Sequence, residues 1–424
     1  MVSNQEDAVT ITTRELPGSV ALLSWLPSPQ GALSWVKEDD GLVGWGQAAR
    51  FTARGPARFT QARQWWSEFT ARTVVHDELG VPGSGPVAFA SMAFADHPGD
   101  SVLIVPRVVV GRRDGVSWIT TVDGPAPARQ PVTAPRGVRY HAGKVDAAAH
   151  RRSVAAAVAR IRAGELAKVV LARDLVATVS EPLDERYLLT RLAENYPTCW
   201  VFAVNGLIGA TPELLLRRDH EVISARLLAG TLWPQPGMAD TTALTRQLLA
   251  SAKNRTEHHY GVQSLRETLA PFCSWLDVPA EPSVLHLPNV THLATEVRGR
   301  LAADTSLLDL TARVHPTAAV AGSPTATAMR LIAELESMDR GGYLGPVGWI
   351  GRQGNGEFAV ALRCAQVNGA TARLFAGGGI VADSDPDTEA AEVTAKFRAF
   401  RSALTRGSVF TRRRHEGRHR GALR

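Results

Sequence analysis

Glu389, Glu392 and Lys396 recur at a helical period in GGGIVADSDPDTEAAEVTAKFRAF, residues 377 to 400. Two carboxylates on one helix face could hold a hard divalent cation through oxygen. The plainer alternative is an ordinary ion pair from Glu392 to Lys396, worth about 0.2–0.5 kcal/mol. The start of this helix is explicit, because Asp385 can cap it, Pro386 suits its first position and Asp387 and Glu389 favour its first turn. Val393, Phe397, Phe400 and Leu404 mark its buried stripe, which leaves Glu389, Glu392 and Lys396 at the edge of the core, where a cleft wall would lie. The glycine triplet ahead of the helix reads as a turn, and it would also leave backbone N–H groups open to an anion.

Other polar groups stand in apolar surroundings. Lys168 leads the apolar strand AKVVLARD; it is either a strand-end lysine in water or an amine whose pKa burial lowers until it can act as a base. Glu213, in IGATPELLLRR, is either a turn glutamate or a desolvated carboxyl that keeps its proton and acts as an acid. In SAKNRTEHHYG, Lys253 and Glu257 lie opposite the Leu244, Leu248, Val262, Leu265, Leu269 stripe, as a solvated face or as a source of a further carboxylate for a metal. Arg363 in EFAVALRCAQV, read as one alternating strand, is core-paired or a carboxylate clamp.

The elements that must position these groups alternate irregularly. Helices are expected near 146–164, 184–195, 240–270, 306–313 and 325–337, with strands near 167–175, 200–205, 213–218, 222–228 and 290–298, and three more between 346 and 376. This mixture indicates an α+β fold rather than regular βαβ winding. The Pro/Ala-rich stretch 124–137 separates an N-terminal part, 1–136, rich in strand-like runs such as SVLIVPRVVVG, from a core at 137–404.

The chain of 424 residues is 45% hydrophobic, enough for a large core. No apolar run approaches a membrane span and the start lacks a signal-peptide profile, so a cytoplasmic protein is expected. Three scattered cysteines imply neither disulfides nor a zinc site. The net charge of +6 resides in the last twenty residues, 405–424, which hold seven arginines and one glutamate and are expected to be disordered. The remaining body is neutral overall, and neither a nucleic-acid nor a membrane partner is expected.

In order along the chain, AKVVLAR, GATPELL, LLAGT, SAKNRTEHHYGV, HLPNVTHLATEVRGRL, VHPTAAVAGSPT, GGYLGPVGW, VALRCA and AGGGIVADSDPDTEAAEVTAKFRA resemble the chorismate-utilising enzymes, most closely the isochorismate synthases. The resemblance implies a single large two-lobed domain of facing, mostly antiparallel sheets flanked by helices. It implies Mg2+ held by Glu257 and Glu392, with Glu389 acting through water. Chorismate would be bound through Gly230, Thr231, His292, Tyr343, Arg363, Gly377 and Gly379, with Lys396 offsetting the acidic cluster; His315 would be structural.

By the same resemblance, Lys168 is the base that activates water and Glu213 the acid that protonates a departing hydroxyl, so their pKa values should be shifted in opposite directions. Anthranilate synthases carry glutamine where Lys168 stands, and the nucleophilic lysine of aminodeoxychorismate synthases corresponds to Ala229. Amination and covalent attachment of the substrate are therefore not expected, nor is a glutaminase partner, and a monomer is expected. Salicylate synthase is the alternative reading, with Asn254 in place of that branch's additional glutamate as the feature against it. Either menaquinone or siderophore biosynthesis could receive the product.

Overall fold

Alternating apolar residues become strands that bury both faces. Trp35 and Phe202 point into one core and their neighbours Val36 and Val201 into another, the period of two that a sheet covered on both sides requires. The computed structural model describes residues 9–122, 128–232, 241–287 and 290–405, without the side chains of Thr241, Lys253 and Glu257. Among them, thirteen strands form one sheet and ten form a second. The pairings are antiparallel except that Val9–Leu16 runs parallel to Thr73–Asp77. The main core lies between the sheets, with Trp35, Trp118 and Phe202 from the larger meeting Phe89, Leu103 and Phe358 from the smaller. On the outer face of the larger sheet, Leu188, Leu189 and Leu192 of one helix and Phe397, Phe400 and Leu404 near the chain's end close a second core.

Both sheets mix strands from the two sides of the Pro/Ala-rich stretch. Leu33–Lys37 pairs with Trp200–Val204, and Val87–Ser91 pairs with Pro346–Gly351. Asp123, residues 124–127 of that stretch and the basic tail from 406 onward lie outside the described residues. The fold is α+β, as the mixed segments indicate.

Several boundaries differ from the sequence reading for local reasons. The expected helix at 240–270 is two, Thr241–Ala250 and Ala252–Leu269, because Ser251 takes an extended conformation and caps the second by accepting from the Asn254 amide. The terminal helix also divides, into Pro386–Lys396 and Arg398–Leu404, around Phe397. The glycine triplet is not a turn: Gly377, Gly378 and Gly379 belong to the strand Thr371–Ile380 and pair with Ala172, Leu171 and Val170. EFAVALRCAQV is two strands, Gly356–Val360 and Cys364–Asn368, in different sheets. Strands Leu207–Thr211, Cys273–Asp277 and Ser283–Leu287 were not anticipated. All three cysteines are free thiols, Cys199 and Cys364 buried.

Asp385 caps as expected, accepting from the Thr388 amide and hydroxyl at 2.8 Å each. Replacing Asp385 with Ala is expected to destabilise the Pro386–Lys396 helix by about 1 kcal/mol. Amide hydrogen exchange should quicken in that helix and remain unchanged in the sheets.

Candidate functional site

The chain changes sheet twice within a few ångströms. It leaves the larger sheet after Thr211 and enters the smaller at Leu214, so Pro212 and Glu213 form one crossing. It returns from Val360 to Cys364 through Ala361, Leu362 and Arg363, the second crossing. The Val360 amide donates to the Glu213 carbonyl at 3.2 Å, so the two crossings lie side by side. Arg363 adopts a φ of +46° and Leu344 one of +62°, left-handed values that a non-glycine residue keeps only when its surroundings enforce them. Backbone bonds from Leu344 to Ala361 at 3.0 Å and from Ala361 to Gly345 at 2.9 Å hold the Tyr343–Leu344 turn against the second crossing.

A cavity of about 240 Å³ opens beside the crossings. Twelve of the thirteen residues singled out in the sequence line it. The thirteenth, Glu257, has its backbone on the helix Ala252–Leu269 and its side chain outside the described residues. His315 lies elsewhere, its Nε2 bonded to the Phe94 carbonyl at 2.9 Å and its ring packed on Phe94.

Glu213 is 5% exposed. Burial pushes its carboxyl from 4.5 up to about 8, against the pull of the Lys168 and Arg363 charges and a hydrogen bond from the Leu228 backbone. Desolvation wins because ionisation would strand a charge away from water, and the group is therefore a proton donor at neutral pH. Lys168 begins the strand Lys168–Thr178 opposite Ser323, half-buried at the cavity wall.

A chain of hydrogen bonds runs across the opposite wall. The Asn254 amide group donates to Ser251 Oγ at 3.0 Å, and its oxygen accepts from the Thr231 amide at 3.2 Å. Thr231 Oγ1 lies 3.0 Å from His292 Nδ1, and Arg363 Nη2 donates to His292 Nε2 at 3.2 Å. A guanidinium can only donate, so Nε2 accepts and the ring proton sits on Nδ1, directed at Thr231. Burial, then the Arg363 and Lys396 charges, hold His292 well below its ordinary pKa, which keeps the imidazole neutral. Gly230, at φ +76°, forms a bulge between Ala229 and Thr231; a Cβ there would stand 3.0 Å from the Asn254 backbone oxygen. The bulge lets the Thr231 strand approach the helix closely.

Arg363 Nη1 is buried and has no hydrogen-bond partner among the described residues. A permanently charged donor left in this state is costly, and a carboxylate is a group able to satisfy it. Tyr343 stacks on Phe375, centroids 5.2 Å apart, and burial raises its phenol above the ordinary range, so it retains its proton.

On the remaining wall, Lys396 donates to Glu392 Oε1 at 2.7 Å and to the Gly377 carbonyl at 2.8 Å. The simple ion pair of the sequence reading exists, but within the cavity. Glu389 Oε1 accepts from Ser384 Oγ at 2.7 Å. A Cβ on Gly378 would meet Glu389 Oε2 at 3.2 Å and Glu392 Oε1 at 3.9 Å, so the middle glycine makes room for both carboxylates. Among the described residues no group of three or more His, Cys, Asp or Glu side chains forms a metal cluster. The Glu389–Glu392 pair nevertheless suits a magnesium-type ion, which uses one or two carboxylates and completes its shell with water and substrate oxygens. Phe375 and Ser384 were not identified in the sequence, and Gly378 only as part of the glycine triplet; the alternation of the strand Thr371–Ile380 could have flagged Phe375.

Two sheets exchanging strands beside a cavity with a neutral acid, a lysine and an unsatisfied guanidinium define an enzyme for a small carboxylated substrate. The chain belongs to the family of chorismate-binding enzymes, whose profile matches residues 4–124 and 123–405. It is 38% identical over 340 residues to a Mycobacterium tuberculosis protein assigned as isochorismate synthase MenF, covering 76% of this chain and 87% of that protein. It is 40% identical over 249 residues to Escherichia coli isochorismate synthase EntC, covering 58% and 64%. The solved structure of Escherichia coli MenF, a menaquinone-specific isochorismate synthase, superposes with a TM-score of 0.78 at 25% identity, covering 95% of this chain and 97% of that one.

Because the folded pKa of Glu213 lies above its unfolded value, its contribution to stability is full below pH 4.5 and is lost as pH rises through about 8. Relative to Glu213→Gln, wild-type stability should fall steadily across that window in denaturant titrations. An infrared band of a protonated carboxyl, absent from the variant, should persist at pH 7.

Proposed function

We propose that this chain isomerises chorismate to isochorismate, feeding menaquinone or siderophore biosynthesis. The observation that carries the reading is Glu213, a carboxyl kept protonated at neutral pH in the same cavity as Lys168 and the unsatisfied Arg363. Lys168 removes a proton from water as its oxygen bonds to ring carbon 2. The ring double bonds shift, and the hydroxyl on carbon 4 departs as water with the proton of Glu213. One water enters and one leaves, so substrate and product are isomers. General acid and base groups each contribute roughly 10²–10⁴-fold.

Arg363 Nη1 and the Tyr343 hydroxyl take the enolpyruvyl carboxylate, and neutral His292 holds Arg363 from behind without adding charge. Mg2+ would be held by Glu257 and Glu392, with Glu389 acting through water, and when bound would supply positive charge to the ring carboxylate. Lys396 limits the negative charge of that wall. Gly377, Gly379, Gly230 and Thr231 shape the floor around the ring. No glutaminase subunit is required because the nucleophile is water, and the enzyme acts as a cytoplasmic monomer.

Purified protein incubated with chorismate and Mg2+ at neutral pH, without ammonia, should accumulate isochorismate, resolved by chromatography. Lys168→Ala and Glu213→Gln should each lower kcat by about 10²–10⁴-fold. Salicylate appearing with equimolar pyruvate would instead identify a salicylate synthase, and unconsumed chorismate would refute the reading. Chelation with EDTA should abolish turnover, and added Mg2+ should restore it.

A further inference from the structure

The strand that carries Lys168 is gripped by an ion pair outside the cavity. Along one edge, Lys168 and Val169 pair with Ser323 and Gly322, while residues 175–178 pair with Arg139–Ala142. Between these neighbours, the edge groups of Val170 and Ala172 meet no strand among the described residues. The Val170 amide donates to the Ala321 carbonyl at 2.8 Å. The Val170 carbonyl accepts from Arg340 Nη2 at 2.7 Å, and the Ala172 amide donates to Glu336 Oε1 at 2.7 Å. Arg340 and Glu336 are themselves bidentate, with Nε to Oε2 at 2.8 Å and Nη2 to Oε1 at 2.6 Å, and both side chains are almost wholly buried.

The same arginine reaches two further wall segments. Its Nη1 donates to the carbonyl of Val320, which lines the cavity, at 3.4 Å. Its backbone carbonyl accepts from the Tyr343 amide at 2.9 Å. Val170 is two residues from Lys168, hence on the same strand face, and both line the cavity. A buried ion pair is weak evidence for stability, since apolar side chains of equal volume often serve as well. This one ties together the peptides that carry the lysine, Val320 and Tyr343.

We infer that Glu336 and Arg340 are positioning residues that set the height of Lys168 relative to the substrate-binding wall at Tyr343. The inference rests on the chorismate isomerase reading and the role it gives Lys168. The pair touches no substrate; it acts through the strand.

The test compares Glu336→Gln, which keeps volume and an acceptor for Ala172, and Arg340→Lys with the wild type in chorismate isomerisation with Mg2+. Folded protein is counted from the melting transition. Because a displacement of about 1 Å can cost about 10²-fold in rate, kcat per folded molecule is expected to fall tenfold or more, with KM within about threefold of wild type. Folded variants with wild-type kcat would overturn the inference, as would variants that lose kcat and KM together or do not fold, since the pair would then serve the fold alone. An inactive wild type would refute both the functional reading and the inference, whereas an active wild type with unimpaired variants refutes only the positioning.

Discussion

The site depends on one constraint: a chain crossing between stacked sheets cannot continue either ladder, so its backbone groups must find other partners. Here the two crossings satisfy each other through Val360 and Glu213, and the second also bonds with the Leu344–Gly345 turn. Glu213 is therefore held through its own carbonyl, and Arg363 by the bonded backbone of Ala361 two residues before it together with its side-chain bond to His292. Arg363 takes a left-handed φ in this crossing, and its Nη1 has no partner among the described residues. The far end of the strand Gly356–Val360 is anchored equally firmly. Buried Glu357 accepts from Trp35 Nε1 at 3.0 Å and Trp200 Nε1 at 3.1 Å, and lies 3.1 Å from Arg217. The N-terminal strands thus hold a strand that ends in the site.

Electrostatics inside the cavity are arranged by burial more than by pairing. The neighbouring Lys168 and Arg363 side chains pull the carboxyl towards ionisation, yet desolvation keeps Glu213 protonated. His292 follows the same logic in reverse and stays neutral beside Arg363. The acidic wall differs, because Glu392 is paired with Lys396 and Glu389 accepts from a serine hydroxyl. One cavity therefore holds carboxyls of both kinds: a proton donor on one wall and hydrogen-bond acceptors on another.

Much of this was written locally. The Asp385–Pro386 helix start, the buried stripe from Val393 to Leu404 and the stripe position of Glu389, Glu392 and Lys396 follow from side-chain chemistry and a period of 3.6 residues, and all appear in the structure. The α+β class and most elements after residue 140 were likewise readable from alternation and capping. Breaks inside continuous patterns were not readable. Ser251 interrupts an apolar period that runs on across it, through a cap on Asn254 that the period hides, and Ala361 to Arg363 interrupt a strand-like alternation because that break is stabilised by the Leu344–Gly345 turn, distinct from the pattern around it. The glycine triplet misled for a related reason: glycine marks close approach as often as a turn, and the approaching group here is a helix later in the chain.

Sequence alone determined which chemical groups are present and on which local faces they lie, since helix and strand periods depend on near neighbours. Nine ordered motifs carried enough of that information to identify the family. Tertiary structure decided which groups share a cavity and in which protonation state. Lys168, Glu213, His292 and Arg363 come from separate segments and meet only because the strands between them pair in this order. The neutrality of Glu213 is a property of the space around it, because desolvation is set by the packing of many residues and not by the carboxyl's neighbours in the chain.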